Sequence, residues 1–253
     1  MAILDRVLQR GPSSGAPEDD VESSRMTVLE HLEALRRVLI VSIIGWALCT
    51  VVSFLVWARI YEFLLHRGGI KGASVYFTPT GGFTLGIKIA LVAGLILAAP
   101  VWIQQLWWFV SPGLHRHERR LVLPLIVATI LFFAFGVGFA LFSLPLFIRI
   151  LSGFAPPDLH YLPVGDDYLN FVLFLILGFG IVFEMPVAIF VLGLVRIISS
   201  AWLYRNRFYW IVGLGILANV MTPGVDPITP MFMWIPLYVF WEATALLLKL
   251  MGR

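Results

Sequence analysis

The stretch LHRHERRL, residues 114–121, sets one carboxylate, Glu118, among Arg116, Arg119, Arg120, His115 and His117, between two long apolar runs. An acid kept in so basic a connection calls for a reason. Glu184 is stranger, because it lies near the middle of LNFVLFLILGFGIVFEMPVAIFVLGLV. A charge at that depth in a membrane costs about 2.5–3.5 kcal/mol on insertion scales. Glu184 therefore faces a hydrated cavity, has a partner or stays protonated. Pro186, two residues on, bends the helix beside it and favours a recess, while an interhelical hydrogen bond from a neutral carboxyl is the plainer alternative. Asp226, in TPGVDPITP, is either an acid at the outer surface or a cap on the helix that follows. Glu242, late in the last apolar run, suits a snorkelling or arginine-paired carboxylate.

A further pair, Glu30 and Glu33, falls in VLEHLEALRRVL. Leu29, Leu32, Leu35 and Leu39 recur at three and four, which predicts an amphipathic helix with the charges on its other sides. Glu33 with Arg36 and Arg37 could equally be a solvated, self-paired face. A membrane-embedded hydrolase ranks last among the readings, because the apolar runs hold no histidine and no HExxH. His115 and His117 lack the acid or cysteine cluster that would complete a metal site. No metal, cofactor or nucleic acid is expected.

The elements that must position these acids follow from composition. Of 253 residues, 60% are hydrophobic and 13% charged, against roughly half and a quarter in soluble domains. The chain reads as an all-α, polytopic membrane protein. Apolar runs near 38–57, 83–108, 121–143, 169–195, 208–221 and 231–248 predict six spans, some short or bent, forming a concave bundle within one domain, 26–253. Residues 1–25 mix Gly, Pro, Ser and acids and read as a disordered tail. Cys49, the single cysteine, lies in the first run and reads as a small packing residue.

Most of the eighteen Lys and Arg fall on one set of connections, including Arg36, Arg37, Arg116, Arg119, Arg120, Arg196, Arg205, Arg207 and Lys249. The excess predicts that both termini and LHRHERRL face the cytoplasm. The connections 58–82 and 144–168 then lie outside, packed as interfacial caps. The fifth run is too short to cross a relaxed bilayer, and the sixth meets Glu242 after about a dozen residues, so the pair predicts local thinning or a water-filled recess. Pro100, Pro124, Pro145, Pro186 and Pro236 lie in or at the ends of runs and predict bends.

Four stretches, HLEALRR, FVSPGLHRHERRLVLPL, FGIVFEMPVAIFVL and TPGVDPIT, in this order from about residue 28 to the end, resemble the TatC subunit of the twin-arginine (Sec-independent) protein translocase. The resemblance implies a receptor rather than an enzyme. It implies a multi-pass subunit of a prokaryotic inner membrane that binds signal peptides carrying two adjacent arginines. Export of folded cargo would then be driven by the proton gradient, with small single-span partners of the TatA and TatB type and with further copies of the chain in the complex. Phe109 and Glu118 match positions that touch the signal, with Arg119 and Arg120 orienting Glu118 while competing for it. Glu184, beside Pro186, matches an intramembrane polar glutamate of the concave face, and Asp226 an outer acidic position. Arginine's rigid fork pairs bidentately with carboxylate where lysine is a point charge, so such a carboxylate can tell Arg-Arg from Lys-Lys.

The sequence also departs from the family pattern. Ala34 stands where a glutamate is usual in the first segment. Glu33 is displaced from it by about 100° around the helix, while Glu30 lies one turn below on nearly the same face. Gly81, HRGG at 66–69 and Pro230 are further departures. A proton-coupled small-solute transporter using Glu184 as relay is the alternative, although it expects internal repeats that the two halves do not show.

Overall fold

A computed structural model describes residues 28–70, 79–113, 118–154, 165–222 and 228–252. The expected N-terminal tail, His115, Arg116, His117 and Asp226 lie outside the described residues. Among the described residues ten α-helices run in order: α1 (Val28–Leu55), α2 (Trp57–Arg67), α3 (Gly81–Leu97), α4 (Ala99–Val110), α5 (Val122–Gly153), α6 (Gly165–Val182), α7 (Met185–Leu194), α8 (Ser200–Arg205), α9 (Arg207–Met221) and α10 (Thr229–Leu250). No strand occurs among the described residues. The fold is an all-α polytopic membrane bundle. By length and composition α1, α5, α6 with α7, and α10 can each cross a membrane, and α3 with α4 can do so as a bent pair. The expected count of six is reached if α9 also crosses.

Helix α1 joins the amphipathic HLEALRR segment to the first apolar run without interruption. Ile43, Ile44, Leu48, Val51 and Val52 stay exposed along it, as suits a surface solvated by lipid. It packs on α3 and α4, while α5 packs on α6, and α7 and α9 on α10. Two close crossings depend on glycine. A Cβ on Gly94 would lie 2.7 Å from the Thr50 backbone nitrogen, and one on Gly136 2.5 Å from the Phe179 carbonyl oxygen. With no hydrophobic force between helices in lipid, such close approach is what lets packing hold them together. The centre is aromatic: Phe139, Phe179 and Phe183 stand with ring centroids 5.6–5.8 Å apart, and Phe147 and Phe179 are fully buried beside them.

Two breaks shape the bundle. Between α3 and α4 the chain bends by 53°, at Pro100 in the first turn of α4, which has no N–H to continue the ladder. The Trp102 indole donates to the Leu95 carbonyl at 3.1 Å across this bend, replacing a backbone donor. Helices α6 and α7 part at Phe183 and Glu184, with Pro186 in the first turn of α7.

Two expectations are corrected. The stretch 144–153, read as part of an outer connection, continues α5, which is 32 residues long with Pro145 inside it. Leu144 and Phe147 are both fully buried, so extension adds core contact that outweighs the lost proline N–H. In the other long connection, residues 58–67 lie within α2, anchored where the buried Tyr168 hydroxyl donates to the Leu64 carbonyl at 2.6 Å. Glu242 does not shorten the last helix, because α10 runs on to Leu250, 22 residues in all. Of the last two helices only α9, at 15 residues or about 22 Å, falls short of a hydrocarbon core of roughly 30 Å.

Candidate functional site

The amphipathic start of α1 lies against α4, and between them opens a groove of about 450 Å³. From α1 it takes Glu30, Glu33, Ala34, Arg37 and Val38, and from α4 Gln105, Trp108 and Phe109. The helical period explains the α1 contribution, since steps of three and four residues return to one face. Glu30, Glu33 and Arg37 are exposed, and the small Ala34 between them leaves depth. Sequence had left Glu30 and Glu33 as competing suppliers of a carboxylate; both line the groove. On α4, Gln105 and Phe109 are one turn apart, and Phe109 is held by His31, whose ring stacks on it with centroids 4.3 Å apart and planes at 25°. Ser111 at the end of α4 donates its hydroxyl to the Trp108 carbonyl.

The groove therefore presents two carboxylates and one guanidinium beside an aromatic wall. It suits a cationic, extended ligand with an apolar flank: the carboxylates accept hydrogen bonds from the cation, and Trp108 and Phe109 cover its stem or stack on a planar head. Glu118, Arg119 and Arg120 begin the short 3₁₀ helix Glu118–Leu121 that leads into α5. Arg120 is exposed; the side chains of Glu118 and Arg119 lie outside what the structure describes.

Glu184 sits at the α6–α7 break, half-buried, with Pro186 buried beside it. Its Oε1 is buried and has no hydrogen-bond partner among the described residues. The carboxyl does make a backbone contact across to Phe133 on α5, while its Oε1 is left without a partner. An unpartnered carboxyl oxygen here is a polar contact awaiting a second group.

One polar cluster escaped sequence reasoning, and of a second only the arginine's identity did. Lys88 on α3 donates to Asp166 at 2.6 Å and to Asn170 at 3.0 Å, both on α6. Arg207, read only as a topology anchor, donates to the Tyr238 hydroxyl and, at 3.0 Å, to Glu242, which gives Glu242 its arginine. The signal available was charge count alone, because the partners are up to 82 residues apart. Among the described residues no three His, Cys, Asp or Glu side chains gather as a metal site.

Residues 30–236 match the model of the Sec-independent protein translocase protein family, TatC. The chain belongs to the TatC family. It is 34% identical over 231 residues to the Sec-independent protein translocase protein TatC of Carboxydothermus hydrogenoformans, covering 90% of this chain and 95% of that one. It is 36% identical to that of Aquifex aeolicus, over 90% and 97% of the two chains. A crystal structure of a twin arginine translocase receptor TatC superposes with a TM-score of 0.75 at 35% identity, over 87% of this chain and 99% of that chain. Family membership makes this chain a non-enzymatic membrane subunit of a protein translocase.

Proposed function

We propose that the chain is the receptor and core subunit of a twin-arginine translocase, and that the α1–α4 groove takes the arginine pair of a signal peptide at the cytoplasmic face. The observation that carries this is the meeting of Glu30, Glu33 and Phe109 in one open groove, at the end of α4 that precedes the HERR segment in sequence. Carboxylates reached by a peptide lying against Trp108 and Phe109 read a guanidinium fork better than an ammonium. Glu118 is the third acid of the site, and Arg37, Arg119 and Arg120 compete for the acids with the ligand. The excess of basic residues on the same set of connections supports an inner-membrane orientation with both termini in the cytoplasm.

In this reading Glu184 offers its open carboxyl oxygen to a polar group of the signal or of a small single-span partner of the TatA or TatB type, and Asp226 serves the opposite face. Cargo passes with such partners and further copies of the chain, driven by the proton gradient. The test is photo-crosslinking of a twin-arginine peptide to the detergent-solubilised protein. We expect labelling at the groove that drops for the Lys-Lys peptide and is lost in Glu118→Ala; undiminished binding by Glu118→Ala, or equal labelling by both peptides, overturns the proposal.

A further inference from the structure

Helix α7 ends in a tight turn in which the Ile197 N–H reaches the Leu192 carbonyl at 3.0 Å and the Arg196 N–H that of Gly193 at 3.1 Å. The left-handed position of such a turn is ordinarily glycine, because a Cβ there crowds the backbone. Here it is Arg196, at φ 62°, the one non-glycine residue with positive φ among the described residues. A side chain kept at a strained position invites the question of what it reaches.

Arg196 and Ser199 open onto a cavity of about 600 Å³ shared with Gly193, Ile198, Met251 and Gly252, the last two just past α10. One wall is a guanidinium and a hydroxyl; the other is aliphatic. Beside it Ile197 and Leu250 are 72% and 76% exposed, at the ends of two helices of a membrane bundle. Arg196 pairs with no carboxylate among the described residues, whose ion pairs are Lys88 with Asp166 and Arg207 with Glu242.

We propose that this cavity binds the headgroup of an anionic phospholipid, with the Arg196 guanidinium on its phosphate and the aliphatic side chains against its glycerol and upper acyl chain. A fork of donors matches phosphate geometry. A free phosphate would make no use of Ile197, Ile198, Leu250 and Met251, so the occupant is a lipid. The carbonyl ends of α7 and α10 oppose an anion, but Arg196, Arg205 in the last turn of α8 and Lys249 in the last turn of α10 leave the surface basic, since Arg207 is already matched by Glu242. The site requires only that α7 and α10 end at a membrane surface; it stands apart from the signal-binding reading.

The test is native mass spectrometry of the full chain titrated with phosphatidylglycerol or phosphatidylcholine. The wild type should retain phosphatidylglycerol about fivefold better, the preference expected of one basic side chain at an anionic surface. Arg196→Gly, which suits the backbone, should keep the fold and lose the preference. Arg196→Asn, also tolerant of this φ, should do the same, while Arg149→Gln at the far end of α5 should not. Retention of the preference by both Arg196 variants overturns the proposal, as does complete displacement of the lipid by millimolar inorganic phosphate.

Discussion

Replacing Glu30 and Glu33 by glutamine removes both described carboxylates from the α1–α4 groove while keeping its shape. The size of the effect follows from exposure. A charge-assisted hydrogen bond screened from water contributes about 1.5–3 kcal/mol, and an ion pair in water about 0.2–1 kcal/mol. Glu30 and Glu33 are exposed, whereas Ala34, Val38, Gln105 and Phe109 around them are half-buried. A bound peptide would shield the pair only in part, so about 1 kcal/mol for each acid is the reasoned value, or about fivefold in Kd. The double variant should then bind a twin-arginine peptide about 25-fold more weakly. Arg37→Gln should act in the opposite sense, because it removes a cation that lines the same groove and competes with the ligand. Fluorescence anisotropy with a labelled peptide and detergent-solubilised protein reads all three, and raising the salt should narrow the differences by screening. Unchanged affinity in Glu30→Gln/Glu33→Gln, or weaker binding in Arg37→Gln, would show that the groove does not read charge.

Gly94→Val should lower the detergent Tm steeply, by at least about 3 kcal/mol of stability, because its Cβ meets the Thr50 backbone; a Tm within a degree of wild type contradicts the close crossing. Glu184→Leu should raise Tm by removing an unpartnered carboxyl oxygen that costs about 1–3 kcal/mol, while lowering export of a twin-arginine reporter; a lower Tm would mean that the carboxyl is satisfied after all. Lys88→Met should cost about 1 kcal/mol or less, since its ion pair with Asp166 is partly open to solvent; Lys88→Met/Asp166→Leu should recover part of it in thermal melts.

Much of the bundle was legible because apolar runs long enough to span a bilayer leave few alternatives, and backbone groups in lipid must be satisfied within a helix. What misled was punctuation. Pro145 and Arg149 looked like the end of a span, yet the helix runs past both because Leu144 and Phe147 gain full burial. Glu242 looked like another end, yet Arg207 and Tyr238 accommodate it inside α10. The α1 wall of the groove was legible through helical spacing, and Phe109 through its motif. Trp108 and Gln105 were not, since nothing local distinguishes a groove-facing tryptophan from a lipid-facing one. Lys88 with Asp166 could not be paired from sequence, as only tertiary packing brings α3 and α6 together.

The bend between α3 and α4 also sets a depth. If α3 follows the bilayer normal, a 53° turn lets the 12 residues of α4 advance about 11 Å toward the water instead of about 18 Å. Trp108 and Phe109 are thereby held some 7 Å nearer the hydrocarbon than a straight helix would put them. On the proposed reading, a peptide clasped there would have its charged end in the headgroup layer, and its following apolar segment could slip sideways into the acyl chains without first crossing open water.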